Sequence, residues 1–166
     1  MNTNTPIVKR AAWSYTIVQL LLMAGLMLLL WRGLFPYNFN LAMLYGALAY
    51  LAYSFASKAT LLGHHRKGIE FIKSHSFCEA ITEFESSYMF LSRYAWVDKY
   101  RFIIMLDSSA IEYREMALCN IAYSYIQLGD KDKARDYYQR ALQENPDSDL
   151  AKGGIEYLAQ ERIIGS

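Results

Sequence analysis

No aspartate or glutamate occurs before Glu70, although the chain has 16 of them. The first 62 residues carry four charges, all basic: Lys9, Arg10, Arg32 and Lys58. A stretch this long with so little charge does not make a solvated surface by itself, because soluble domains keep charge on the outside. Cysteine is scarce as well. Cys78 and Cys119 are the two, which excludes a disulfide framework. Both read as buried helical thiols that behave as small hydrophobes. Proline occurs three times, and Pro36 and Pro146 fall where a helix is expected to stop.

Catalytic signatures are also missing. The chain has no Walker A loop, GxSxG, HExxH, CxxC or GxGxxG, so the sequence predicts no enzyme and no cofactor. His64 and His65 are adjacent, and on a helix they point about 100° apart, which does not suit one metal ion. With Arg66 and Lys67 they read as a basic collar beside lipid headgroups. Glu79, Glu83 and Glu85 read as a solubilising helix face. Beyond residue 62 the chain carries 13 basic against 16 acidic groups. That mild acidity predicts no nucleic-acid partner, which would need a basic face.

What is present begins with two apolar runs. Ala11–Trp31 has no charge over 21 positions, and at ~1.5 Å per residue it is long enough for the ~30 Å core of a bilayer. Trp13 and Trp31 sit near its ends, where indole rings favour the headgroup level. A cleaved signal sequence is the competing reading. The run is longer than the usual apolar segment of such a leader, ~7–15 residues, and no small-x-small site follows it. Residues 32–38 read as a turn. A second run covers 39–57 and is richer in Ala, Gly and Tyr. Ala42, Gly46, Ala49 and Ala56 share one helical face, small enough for another helix to approach closely. That face packs on the first span or on a second copy of the chain. Lys9 and Arg10 precede the hairpin, Lys58, Arg66 and Lys67 follow it, and the turn holds Arg32. The positive-inside rule then places both termini, including the tail 1–10, in the cytoplasm.

The soluble part contains a repeat. Residues 115–148 read EMALCNIAYSYIQLGDKDKARDYYQRALQENPDS, 34 positions in all. Leu118, Ile121, Ala122, Tyr125, Ala134, Tyr138, Ala141 and Pro146 fall at the spacing of two antiparallel helices crossing closely. The alanines make room, the tyrosines fill it, Gly129-Asp130 turns the chain and Asp130 caps the second helix. Asp136 and Arg140 offer an i,i+4 pair. This stretch closely resembles a tetratricopeptide repeat. A weaker copy spans 61–94, with Gly68, Phe71, Ala80, Phe84 and Ser87 in the places of Ala122, Tyr125, Ala134, Tyr138 and Ala141, and a turn near Ser74-His75-Ser76.

Between the copies lies an insertion, 95–114. Its part up to Leu106 is too apolar for a solvated linker. It is expected to lie over the repeat core as a surrogate repeat, to fill the groove, or to lie on the bilayer surface. Ser109 and Glu112 offer a capping box, which predicts a second-repeat first helix running from Ser109 to Leu128. Residues 149–164 read as a capping helix.

The expected fold is therefore all-α: an N-terminal two-helix transmembrane hairpin followed by a short antiparallel helical stack with an insertion and a cap. The chain also resembles small bacterial membrane proteins that join two spans to such repeats, which implies a cell-membrane location and neither a reaction nor a named partner. The family resemblance implies ligand binding in the groove of the first helices. Carried over, the groove positions are Met116, Cys119, Asn120, Tyr123, Ile126 and Gln127 in the second repeat and His65, Ile69 and Ile72 in the first. Asn120 stands where a carboxylate-clamp asparagine would, but His65 and Ile69 replace the clamp's lysine and asparagine. The expected function is a membrane-anchored module that recruits or assembles a protein or peptide partner. The alternative is a homo-oligomeric channel or transport subunit joined through the spans. Its weakness is that neither span contains an interior charge.

Overall fold

The computed structural model describes residues 13–164, with side chains to residue 161. The expectations for Lys9, Arg10 and the tail 1–10 lie outside the described residues. Nine helices follow in order among them: α1 (Trp13–Gly33), α2 (Phe39–Leu61), α3 (Gly63–Lys73), α4 (Phe77–Arg93), α5 (Ala95–Lys99), α6 (Arg101–Ile104), α7 (Tyr113–Gln127), α8 (Lys131–Glu144) and α9 (Asp149–Ile164). The fold is all-α, as the sequence predicts. Two compact units divide it. One takes Leu62–Asp98 and the chain from Ile111 onward, and the other takes α1 and α2 together with Lys99–Ala110.

In the second of these units α1 and α2 form a hairpin. Asn38 ends the turn, its side chain accepting from Leu41 N at 3.2 Å, and Trp31 meets Phe39 edge to face. Both helices are long and apolar enough to cross a membrane, and only 6% and 11% of their apolar windows are buried. A core helix of a soluble domain would be mostly covered. Gly46 explains the close packing, because a Cβ there would lie 2.9 Å from Met27 Cγ and 3.4 Å from Met27 Cα. Ala42 is fully buried beside it in sequence register. The small-residue face is narrower than its spacing suggests: Ala49 and Ala56 are exposed.

Of the placements expected for the insertion, the surrogate repeat is not the one that residues 99–110 take, because they belong to the hairpin unit rather than to the repeats. Trp96, in the short helix α5, is 57% exposed. The predicted helix start at Ser109 is also wrong. Helix α7 begins at Tyr113, and Glu112 makes no side-chain cap. The buried carboxylate of Asp98 does that work from outside the helix, accepting from Tyr113 N at 3.0 Å and Arg114 N at 2.9 Å. A carboxylate at the positive end of a helix satisfies two orphan amides. Sequence spacing cannot reveal a cap supplied from 15 residues away.

The repeat unit is a stack. Helix α3 pairs with α4, α4 with α7, α7 with α8, and α8 with α9, while α7 also touches α3 and α9. Helix α7 lies between neighbours on both sides, which explains why it is apolar nearly all round. Ala117 and Ile121 join Ile72, Ala80, Ile81 and Phe84 in one core cluster. Leu118, Cys119 and Ala122 join Ala134, Tyr138, Ala141, Ala151 and Leu158 in the other. Tight crossings depend on glycines opposite large rings. A Cβ on Gly68 would lie 2.8 Å from the Phe84 ring, and one on Gly154 would overlap the Tyr138 ring. Gly129, at φ +82°, ends α7, and Asp130 caps α8 by accepting from Lys133 N at 3.1 Å. The guanidinium of Arg140 lies over the rings of Tyr88 and Tyr137, at 5.4 and 4.7 Å.

Candidate partner-binding surface

The first helices of the two repeats, α3 and α7, touch only lightly, and they carry the nine residues expected to line a groove. Their side chains fall into two groups. His65, Ile72 and Cys119 are buried, at 6%, 7% and 4% exposure. These three are core residues and offer a partner no first contact. Ile69, Met116, Asn120, Tyr123 and Ile126 are half-buried, and Gln127 is exposed. Tyr123 meets Phe77 edge to face at 6.5 Å, and Ile69 and Tyr123 both pack against the first core cluster. The available strip is thus an aromatic and aliphatic ridge with amides at Asn120 and Gln127.

Burial sets the chemistry of the two titratable core residues. His65 sits edge-on between the rings of Phe84 and Tyr113, each 5.2 Å away. Its Nδ1 has no hydrogen-bond partner. Desolvation lowers its pKa to about 4, so the ring is neutral at pH 7. The Cys119 thiol is pushed up to about 12, first by burial and then by the negative charge of Glu115. A thiol so protonated is a poor nucleophile. Cys78 corrects the expectation of two buried thiols, because it is exposed. The expected basic collar is also broken up: His65 is inside, and His64 Nδ1 lies 2.7 Å from Glu83 Oε2.

Glu115 is a polar residue that sequence reasoning passed over. Its buried carboxylate accepts from Asn145 Nδ2 at 2.7 Å and from Ser148 Oγ at 2.6 Å. Ser148 Oγ in turn accepts from Ala151 N at 3.1 Å. One side chain of α7 therefore fixes the turn from α8 into α9, which orients the cap beside the second repeat. No local spacing signals this link. Among the described residues no group of three or more His, Cys, Asp or Glu could hold a metal ion.

These features describe a scaffold of stacked helical repeats. Residues 116–148 match the tetratricopeptide repeat. The chain is similar to Photosystem I assembly protein Ycf3 of Prochlorococcus marinus, with 31% identity over 103 residues. That alignment covers 61% of this chain and 50% of the relative, so the chain spans about half the length of the protein it matches. No solved structure matches it.

Proposed function

We propose that this protein is a membrane-tethered interaction module whose repeat unit holds a protein or peptide partner during recruitment or assembly. The observation that carries this reading is the ridge on α3 and α7, half-exposed and apolar on a repeat built for protein contacts. The assembly role named for the relative agrees with it. The tether rests on α1 and α2, which keep apolar faces turned outward over a membrane's thickness. Lys58 lies in the last turn of α2 and Arg66 and Lys67 follow that helix, a cationic flank that favours a cytoplasmic repeat unit. A non-catalytic role fits the inert Cys119 and the neutral, enclosed His65.

Partner capture in mild detergent tests the surface. The intact chain and Tyr123→Glu are compared, because a charge on the ridge removes the apolar contact at its middle. The intact chain is expected to retain a partner that Tyr123→Glu releases. Identical partner sets would remove the ridge from the proposal. A reporter fused after residue 166 tests the orientation, and a non-cytoplasmic readout would reverse it.

A second reading is a homo-oligomeric membrane component. The exposed Ala49 and Ala56 favour it, since they leave a small-residue flank of α2 open after Ala42 and Gly46 are covered. Solute flux through liposomes containing the purified chain distinguishes this reading from a simple tether.

A further inference from the structure

The segment after α5 is held against the hairpin by a set of polar contacts too deep along the helices to be a surface link. Ser54 Oγ donates to Met105 O at 3.4 Å, and Lys58 Nζ donates to Leu106 O at 3.5 Å. Lys58 Nζ also lies 3.9 Å from Asp107 Oδ1. Gln19 is buried within α1. In one orientation its amide donates to Phe102 O at 3.3 Å, and turned over it accepts from Asp107 N at 3.1 Å and Ser108 N at 3.2 Å. Phe102 stacks on Tyr15 at 4.7 Å between ring centroids, and the Arg101 guanidinium lies 5.8 Å from the centre of the same ring. Arg101 is 3% exposed and donates to Ser109 O at 2.9 Å. Leu106 takes a left-handed conformation, φ 50°, which persists where surrounding contacts over-determine the backbone.

The depth of these contacts points to their environment. Gln19 and Ser54 lie roughly 9–10 Å inside the ends of α1 and α2, at ~1.5 Å per residue. At that same level the outward faces of the hairpin are Ile17, Leu20, Leu51 and Phe55, with exposures of 56%, 55%, 62% and 73%. A bilayer that covers those side chains also reaches the level of Phe102–Met105. Tyr100 and Ile103 point away from the protein there, each 46% exposed. Irregular backbone is tolerated at membrane depth where protein groups satisfy it, and the carbonyls of Met105 and Leu106 meet that condition.

We infer that residues 99–110 form an interfacial element that lies in the leaflet holding the first turns of α1 and the last turns of α2, with Tyr100 and Ile103 against lipid acyl chains. Lys58 is held beside Asp107, which limits the cost of a cation at this level. The segment also links the spans to the repeats along the chain, because the boundary between the two units falls at Asp98–Lys99. This inference rests on the reading that α1 and α2 span a membrane.

The full chain carrying Cys78→Ser is labelled with an environment-sensitive fluorophore at Ile103→Cys, in vesicles of phosphatidylethanolamine and phosphatidylglycerol. Leu21→Cys, on the exposed face of α1, reports on the span, and Gln139→Cys, exposed on α8, reports on water. The label at 103 is expected to lose fluorescence to nitroxides carried high on the acyl chain and to keep it with iodide. The label at 21 should be quenched by deep nitroxides and the label at 139 by iodide. If 103 behaves like 139 while 21 is deeply quenched, the spans stand and the interfacial element is overturned. If 103 is shielded from both quenchers, protein covers it, and the lipid contact is equally overturned. If 21 is not quenched by lipid, the spanning reading fails and the inference falls with it. Tyr100→Cys repeats the measurement from a neighbouring exposed site, so one poorly folded variant does not decide the result.

Discussion

The two repeats reach the same architecture from unequal sequences. In the second, α7 ends on Gly129 and α8 starts under the Asp130 cap. In the first, His75 occupies the corresponding left-handed position at φ 59°, and Ser76 gives α4 no side-chain cap. The backbone bonds are nevertheless equivalent. Gly129 N donates to Ile126 O and Asp130 N to Tyr125 O, just as His75 N donates to Ile72 O and Ser76 N to Phe71 O. Both helices close with the paired bonds of a Schellman motif. The cores correspond too: Cys119 takes in the second repeat the place that His65 takes in the first, and both are buried. The comparison teaches that a degenerate repeat keeps the geometry and loses the local free-energy contributions. Its turn is strained, its second helix is uncapped by side chains, and its core encloses an imidazole with an unsatisfied nitrogen.

The largest expected effect probes whether the first repeat still depends on packing. Phe84→Ala should cost about 3–5 kcal/mol, because the ring is fully buried against Gly68. Urea unfolding of the full chain in mild detergent, read by labelling of buried Cys119, measures it. A loss under about 1 kcal/mol would mean that the first repeat folds separately from the second.

A pH effect of similar size should belong to the first repeat. His65 has a folded pKa of about 4 against 6.5 unperturbed. Between those values the unfolded chain binds the extra proton. Stability is therefore full above pH 6.5, falls as the pH drops toward 4, and levels off below, for a total of about 3 kcal/mol. Melting temperature followed over that range should decline, and His65→Leu should flatten the decline. An unchanged slope in the variant would assign the acid sensitivity to other groups.

Next in size is the close crossing. Gly68→Ala should cost about 1–3 kcal/mol by overpacking, since the new methyl meets the Phe84 ring at 2.8–2.9 Å. The corresponding Ala122 already carries its methyl in a fully buried site, so the asymmetry is specific to the first repeat. The same unfolding assay reads it. A neutral result would show that the ring has room to tilt.

The turns give smaller effects of opposite sign. His75→Gly should stabilise by up to about 1 kcal/mol and Gly129→Ala should destabilise by a similar amount, because both sites require a positive φ. Paired denaturation midpoints test this, and a loss from His75→Gly would mean that the ring contact with Phe77 outweighs the strain. The smallest effect is expected for the exposed Trp96. Trp96→Ala should shift stability by less than about 0.5 kcal/mol.

The second repeat was legible because its determinants are local. Gly129, Asp130, Ala134 and Pro146 act within a turn or two of where they stand, so spacing alone exposes them. The two long apolar helices were legible for a similar reason, since length and lack of charge are properties of a single segment. The proposed partner surface was legible less fully. The family resemblance placed His65, Ile72 and Cys119 on an open face, whereas the fold buries their side chains. The insertion was the least legible element. Its apolar residues predicted contact with something, and several surfaces could have supplied that contact.

By itself the sequence determined the helical class, the two apolar helices and the second repeat, because periodicity, charge and turn residues act over short distances along the chain. The tertiary structure alone decided what lies far apart in sequence. Asp98 caps α7, Glu115 fixes the turn before α9, and Gln19, Ser54 and Lys58 hold the segment around Phe102–Ser108. Each of these links satisfies a polar group that folding removes from water. Which partner a buried amide or carbonyl finds depends on what the fold brings within about 3 Å of it, not on its neighbours in the chain.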